Sequence, residues 1–210
     1  MICIRRARPS DAAAIGAVHV TTWRTAYAGV LPDDYLFNLS ALRHAAGYEA
    51  SIGDRRNGHA VFVAVAKGED APPGPSAHQD GAAHQEGAHQ KGADQEGGTV
   101  VGFVSGGRAR RQGFGDGEVE TLYLLDDYRD RGIGRRLMRA MAAHLAAVGC
   151  RSAMVWVLKD NPSRWFYQRL AGRLLAREVI RFAGQSMEQL AFAWDPIGAL
   201  LTATAPASEA

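Results

Sequence analysis

An apolar run from Val119 to Leu125 gives way to Tyr128-Arg129-Asp130-Arg131-Gly132-Ile133-Gly134-Arg135-Arg136-Leu137-Met138, which opens a helical pattern. This strand-to-helix junction constrains the fold more than any other segment. Two glycines one residue apart, flanked by arginines, let backbone N–H groups close around a phosphate at a helix N-terminus. The helix that follows carries Leu137, Met138, Met141, Leu145 and Val148 on one face and stops at Gly149. Arg151 to Leu158 then reads as another strand, so a helix crosses between two strands of one sheet.

The remaining composition narrows what such a junction can serve. The 210 residues suit one domain with some extra material, and 47% hydrophobic with 22% charged residues allows a packed core. A formal net charge of +2 does not suggest a nucleic-acid partner. The arginines are nonetheless clustered, at Arg108, Arg110 and Arg111 and again from Arg129 to Arg136, and such a patch fits an anionic small ligand. The two cysteines, Cys3 and Cys150, form no CxxC pair, which argues against a zinc knuckle or thioredoxin-like motif, and Cys150 reads as a core thiol. No sustained apolar run follows the basic residues of Met1 to Arg6, as a signal peptide would require. No stretch of about 18 apolar residues exists to span a membrane. A cytoplasmic protein with no resident metal, no membrane and no nucleic-acid partner is therefore expected.

Ile2 to Arg6 reads as a first strand, and Ser10 as the N-cap of a helix whose stripe is Ile15, Val18, Thr22 and Ala26. Gly29 and Pro32 break it, and a second helical stretch runs from Asp33 to Glu49. Residues 53–58 read as a turn and His59 to Ala66 as a strand. Residues 68–98 hold an imperfect five- or six-residue repeat of Ala, His, Gln, Gly and acidic residues, with no aliphatic side chain larger than Ala. Such a tract cannot bury enough surface to offset its ordering entropy, and its histidines at 78, 84 and 89 read as inert. Strands follow at Val100 to Ser105 and Glu118 to Leu125, so the repeat is an insertion between neighbouring strands. Asn161-Pro162 opens a short helix through Leu170, two strands run from Leu174 to Phe182 and Met187 to Trp194, and residues 197–210 read as a flexible tail. The expected fold class is α/β or α+β, a single domain over residues 1–196 with a mostly antiparallel mixed sheet flanked by helices.

The glycine loop can be narrowed by elimination. A dinucleotide-binding turn wants a third glycine where Leu137 stands, and a Walker A loop wants Gly-Lys-Ser/Thr. What remains is a pyrophosphate cradle of successive N–H groups. Here the chain resembles the GNAT family of N-acetyltransferases. The family's Arg/Gln-x-x-Gly-x-Gly/Ala motif is matched by Arg129, Gly132 and Gly134. Glu118 to Leu124 looks like the strand that precedes it, and Asn161 to Gly172, with Phe166-Tyr167, like the segment that follows. The resemblance covers about Ile2 to Trp194 apart from the repeat.

The resemblance implies acetyl-CoA as acyl donor, with its pyrophosphate against Arg129, Arg131, Gly132, Ile133, Gly134, Arg135 and Arg136. It implies pantetheine paired with Leu122 and Leu124 like an added strand, Asn161 on the cofactor's amide arm and Tyr167 as general acid. An acceptor ammonium has a pKa near 10, so freeing its lone pair at pH 7 costs roughly 4 kcal/mol and calls for a base. Glu120, beside the proposed carbonyl site, is the first candidate. Glu118 shares its parity, and a solvated strand carboxylate is the competing reading.

Trp23 and Tyr27 share a helix face that either lines an acceptor groove or packs as core, and core is preferred; His19 on the same face reads as a buried, bonded histidine rather than a base. The expected activity is direct acetyl transfer to the primary amine of a small molecule, protein or peptide. A non-catalytic acyl-CoA sensor on the same fold is the alternative. The acceptor is left open, and so is the homodimer common in the family.

Overall fold

The computed structural model describes residues 1–54, 58–71 and 98–206. Among them seven strands form one sheet: β1 (Ile2–Arg6), β2 (Ala60–Ala66), β3 (Thr99–Arg108), β4 (Gly117–Leu124), β5 (Ala153–Leu158), β6 (Arg173–Phe182) and β7 (Gln185–Trp194), in spatial order β1-β2-β3-β4-β5-β7-β6. Every pairing is antiparallel except β4 with β5. That parallel step follows from the crossing helix α4 (Ile133–Ala147), which carries the chain back to the starting end of β4.

Helices cover both faces. On one, α4 buries Leu137, Met138, Met141 and Leu145 against Val101, Val104, Val119 and Val155, with the Cys150 thiol in the same cluster. Each of these fully buried side chains contributes about 1.5–3 kcal/mol. On the other face, α1 (Ala12–Ala26) and α3 (Ala41–Gly53) bring Ile15, Val18 and Tyr48 onto Val61, Val63, Val65 and Phe103. β2 is thus buried on both faces, which explains its unbroken apolar sequence.

Several local expectations differ from the fold. Ser10 caps nothing; Pro9–Asp11 is a 3-10 turn in which the Asp11 carboxylate accepts the Arg8 N–H at 2.7 Å and pairs with Arg5. The stretch expected to be helical from Asp33 to Glu49 is two helices, α2 (Asp33–Phe37) and α3, parted where the Ser40 hydroxyl accepts the Arg43 N–H. The expected tail from residue 197 instead begins with α6 (Gly198–Ala203). Leu200 is fully buried there, and Arg135 and Arg139 donate to the carbonyls of Ala205 and Leu201.

The insertion does join two paired strands, since Ala66 and Thr99 are register partners. Its first residues, Gly68–Asp70, form a 3-10 turn, and the repeat at 72–97, with histidines 78, 84 and 89, lies outside the described residues. So do residues 55–57 of the expected turn and 207–210 of the expected tail.

A β-bulge shapes the middle of the sheet. The β3–β4 register steps from Ser105↔Thr121 to Gly106↔Val119, so Glu120 is the extra residue. A Cβ on Gly106 would lie 2.4 Å from the Glu118 carbonyl oxygen, so only glycine permits the close approach. The bulge also switches parity, which is why Val119 and Leu122 both pack toward α4 despite their odd spacing.

Candidate active site

β4 and β5 pair only over Gly117–Val119 with Ala153–Val155. Beyond the bulge they part, and a cavity of about 600 Å³ opens between residues 120–124 and 155–158. The edge of β4 facing it is open to a partner. Leu125 donates its N–H to Val101 of β3 at 2.9 Å, and backbone groups alternate sides along a strand. The N–H and C=O groups of Leu122 and Leu124 therefore point into the wedge.

The glycine loop closes one end of this cavity. Asp130 (φ 58°) and Gly132 (φ 72°) are both left-handed, bending the chain sharply on either side of Arg131. Gly132 is the N-cap of α4, so the first N–H groups of the helix lack intrahelical partners. Ile133, 1% exposed, anchors the turn, and Gly134 lies beneath Phe166, where a Cβ would meet the ring at 3.4 Å.

The arginines divide. Arg129 and Arg135 line the cavity, Arg129 also pairing with Asp126 at 2.7 Å. Arg131 and Arg136 do not line it: Arg131 lies 3.6 Å from Asp70 and over the Tyr128 ring, and Arg136 donates to the Ile2 carbonyl at 3.0 Å. Those two side chains tie the loop to its surroundings.

Glu120 sits on the cavity wall, its side chain 23% exposed, with Oε2 3.4 Å from His59 Nε2 and Oε1 3.9 Å from Arg110 Nε. Burial works to raise its carboxyl, but the His59 hydrogen bond and the charges of His59 and Arg110 outweigh it and hold the group below the usual carboxylate range. Glu118 also faces Arg110, is 5% exposed and accepts from that guanidinium at 2.6 and 3.1 Å. Neither acid is the solvated strand carboxylate of the competing reading.

Tyr167 lies on α5 (Arg164–Arg169), in contact with Phe166, Phe192 and Trp194 and at the cavity wall. Burial, with Tyr27 nearby, pushes its hydroxyl well up, so it keeps its proton at neutral pH. The helix begins two residues later than the Asn161-Pro162 signal suggests. The Asn161 side chain instead closes the turn before it, Oδ1 accepting the Ser163 N–H and Nδ2 donating to the Tyr27 hydroxyl, both at 2.8 Å. One amide hydrogen and one lone pair remain for a ligand.

Other wall residues had no motif to announce them. Trp23 of α1 and Tyr27, just past its end, both line the cavity beside Leu158, Ile180 and Phe182; Tyr27 is also core, buried with Leu31, Leu36 and Met187, whereas Trp23 is half-buried. His59, Arg110 and Trp156 surround Glu120 from three other segments. His19 is buried off the cavity, bonded to the Tyr48 hydroxyl at 2.9 Å and stacked on His44 at 3.9 Å. Burial, with His44 adding to it, depresses its pKa to about 3. Among the described residues no helix is long and apolar enough to cross a membrane.

Residues 60–173 match the acetyltransferase (GNAT) family. The chain is 31% identical over 204 residues to an uncharacterized N-acetyltransferase, YuaI, of Bacillus subtilis, covering 96% of this chain and 98% of that one. Its fold is similar to that of PaiA N-acetyltransferase from Thermoplasma acidophilum, solved with coenzyme A (TM-score 0.58, 15% identity, 90% and 98% of the two chains). It is likewise similar to yncA, a putative acetyltransferase from Salmonella typhimurium, solved with acetyl-CoA (TM-score 0.57, 18% identity, 92% and 93% covered).

Proposed function

Because the chain belongs to the acetyltransferase (GNAT) family, we propose that it moves an acetyl group from acetyl-CoA to a primary amine by direct transfer. The observation that carries this reading is the wedge. A single cavity joins the open edge of β4, the N-terminus of α4, a carboxylate and a buried tyrosine. Two fold neighbours hold coenzyme A or acetyl-CoA in their own structures.

In this reading the turn at Gly132 and the first N–H groups of α4 hold the pyrophosphate, with Arg129 and Arg135 adding positive charge. Leu122 and Leu124 pair with the pantetheine arm as a further strand would. An N–H of that row stabilises charge on the acetyl oxygen. Asn161 offers its remaining donor to the arm while keeping Tyr27 in place. Glu120 takes the proton from the acceptor ammonium, directly or through a water. The freed lone pair forms the N–C bond, the C–S bond breaks, Tyr167 gives its proton to the departing thiolate, and the second proton that nitrogen sheds on becoming an amide returns the tyrosine to its neutral form. No cysteine lines the cavity among the described residues, which suits transfer without a covalent acyl-enzyme.

Calorimetry with acetyl-CoA and a thiol-release assay test the reading. Binding should be lost in Gly134→Glu, whose side chain would fill the cradle beneath Phe166; unchanged affinity in that variant would overturn the pyrophosphate assignment.

A further inference from the structure

The part of the cavity beyond Glu120 has a chemistry of its own. Trp23, Leu158, Ile180 and Phe182 stand there half-buried, while Tyr27, Leu31, Leu36 and Met187 behind them are buried. Trp23 meets the Phe182 ring at 5.9 Å and Tyr27 at 4.9 Å, and Tyr35 closes on Phe182 at 5.4 Å. The wall is a tilted aromatic and aliphatic surface in which Trp23 and Phe182 are half-buried.

Its polar complement is sparse. The carboxylates lining the cavity are Glu120 and Asp130, and Asp130 belongs to the glycine loop. The lining cations, Arg129, Arg135 and Arg169, come from that loop, α4 and α5, and no Lys or Arg of the described residues lines the cavity from α1, β5, β6 or β7. A smaller adjoining cavity shares Glu120, Trp156 and Gln189 and holds Arg110 and Arg111. Arg110 is already matched by Glu118, and Arg111 by Glu178 with two bonds of 2.8 Å.

One ammonium fits this arrangement, at Glu120. A second cation, as in a polyamine, would be stripped of water among Trp23, Ile180 and Phe182 with no carboxylate to face it. The carboxylate of a free amino acid would find no cation on α1, β5, β6 or β7 to face it, the lining arginines standing at the glycine-loop end and on α5. A polyhydroxylated amine would have to satisfy its hydroxyls on Thr22, Tyr27, Thr121, Tyr123 and Gln189, set among mainly aromatic and aliphatic side chains. A flat apolar body two or three bonds from the nitrogen would bury its faces on Trp23 and Phe182.

We therefore propose that the acceptor is an arylalkyl monoamine, a single primary amine on a neutral aromatic body. The proposal rests on the acetyl-transfer reading above. It adds that Trp23 and Phe182 set specificity while Glu120 receives the ammonium proton.

The test uses the full chain with acetyl-CoA and a panel of 2-phenylethylamine, 3-phenylpropylamine, spermidine, phenylalanine, kanamycin and a peptide with an N-terminal phenylalanine. The kcat/KM for the better arylalkylamine should exceed that of each of the other four at least tenfold. Equal or faster turnover of any of those four overturns the acceptor assignment while leaving acetyl transfer intact. So does acetyl-CoA binding with no arylalkylamine turnover. Failure to bind acetyl-CoA at all overturns both readings. Phe182→Ala, or Ile180→Ala if the first variant fails to fold, should raise KM for the arylalkylamine at least tenfold while KM for acetyl-CoA moves less than twofold; an unchanged amine KM overturns the role of that wall.

Discussion

The Glu120 carboxylate of β4 reaches over β3 to lie 3.4 Å from Nε2 of His59, the residue before β2. The contact keeps the carboxylate ionised against the pull of its own burial. Glu120→Gln should lower kcat by about 10²-fold or more if the group is the base, with acetyl-CoA affinity little changed. In His59→Phe the hydrogen-bonding partner is gone and only the Arg110 charge is left to oppose burial, so the acidic limb of the kcat/KM profile should move to higher pH. A pH–rate series on both variants checks this; an acidic limb that stays where the wild type has it would remove Glu120 from the role.

Gly106 should tolerate no side chain. Its Cβ would meet the Glu118 carbonyl at 2.4 Å, so Gly106→Ala must either flatten the bulge or displace β3. A loss of about 1–3 kcal/mol in urea unfolding is expected, together with weaker acetyl-CoA binding as the wedge narrows.

The Asn161–Tyr27 hydrogen bond ties the turn before α5 to α1. Asn161→Ala strands a buried tyrosine hydroxyl and should cost about 1–3 kcal/mol, whereas Tyr27→Phe should cost less. A double-mutant cycle by chemical denaturation should return a coupling of about 0.5–1.5 kcal/mol, and a coupling near zero would dissolve the link.

His19 makes stability depend on pH. Folding lowers its pKa from 6.5 to about 3. Between those values the unfolded chain holds a proton that the folded chain does not, so stability falls as pH drops through that window. The limiting slope from this group is about 1.4 kcal/mol per pH unit. His44, stacked on it and also depressed by burial, adds in the same direction. The difference in unfolding free energy between wild type and His19→Gln, which can still reach Tyr48, should shrink between pH 6 and pH 4.

The part of the cavity proposed to hold the donor is legible in the sequence because it is local. An apolar strand, a glycine turn and an amphipathic helix are contiguous, and each is dictated by short-range sterics and periodicity. The same logic reaches Tyr167 and, through its turn, Asn161. Long-range contacts decide the rest. His59 opens a strand and looks ordinary until β2 pairs with β3 and β3 with β4. Ser105-Gly106-Gly107 reads as the end of a strand, although β3 continues to Arg108 and Gly106 faces the bulge. In sequence the side chains of Arg131 and Arg136 read only as added charge near the N–H groups of the loop; in the fold Arg131 lies beside Asp70 and Arg136 donates to the Ile2 carbonyl. Helix α6 escapes a reading by composition because its order comes from the burial of Leu200 and from bonds to Arg135 and Arg139.

Ala66 and Thr99 face each other across the β2–β3 ladder, although 32 residues separate them in sequence. The ladder itself closes that span, so the sheet sets no length for what connects its two ends. The connection is a natural graft point, where a reporter domain or affinity handle could be spliced in exchange for residues 72–97. Because Asp70 accepts from the Tyr128 hydroxyl and lies beside Arg131, a fluorophore attached at the turn Gly68–Asp70 would stand next to the glycine loop.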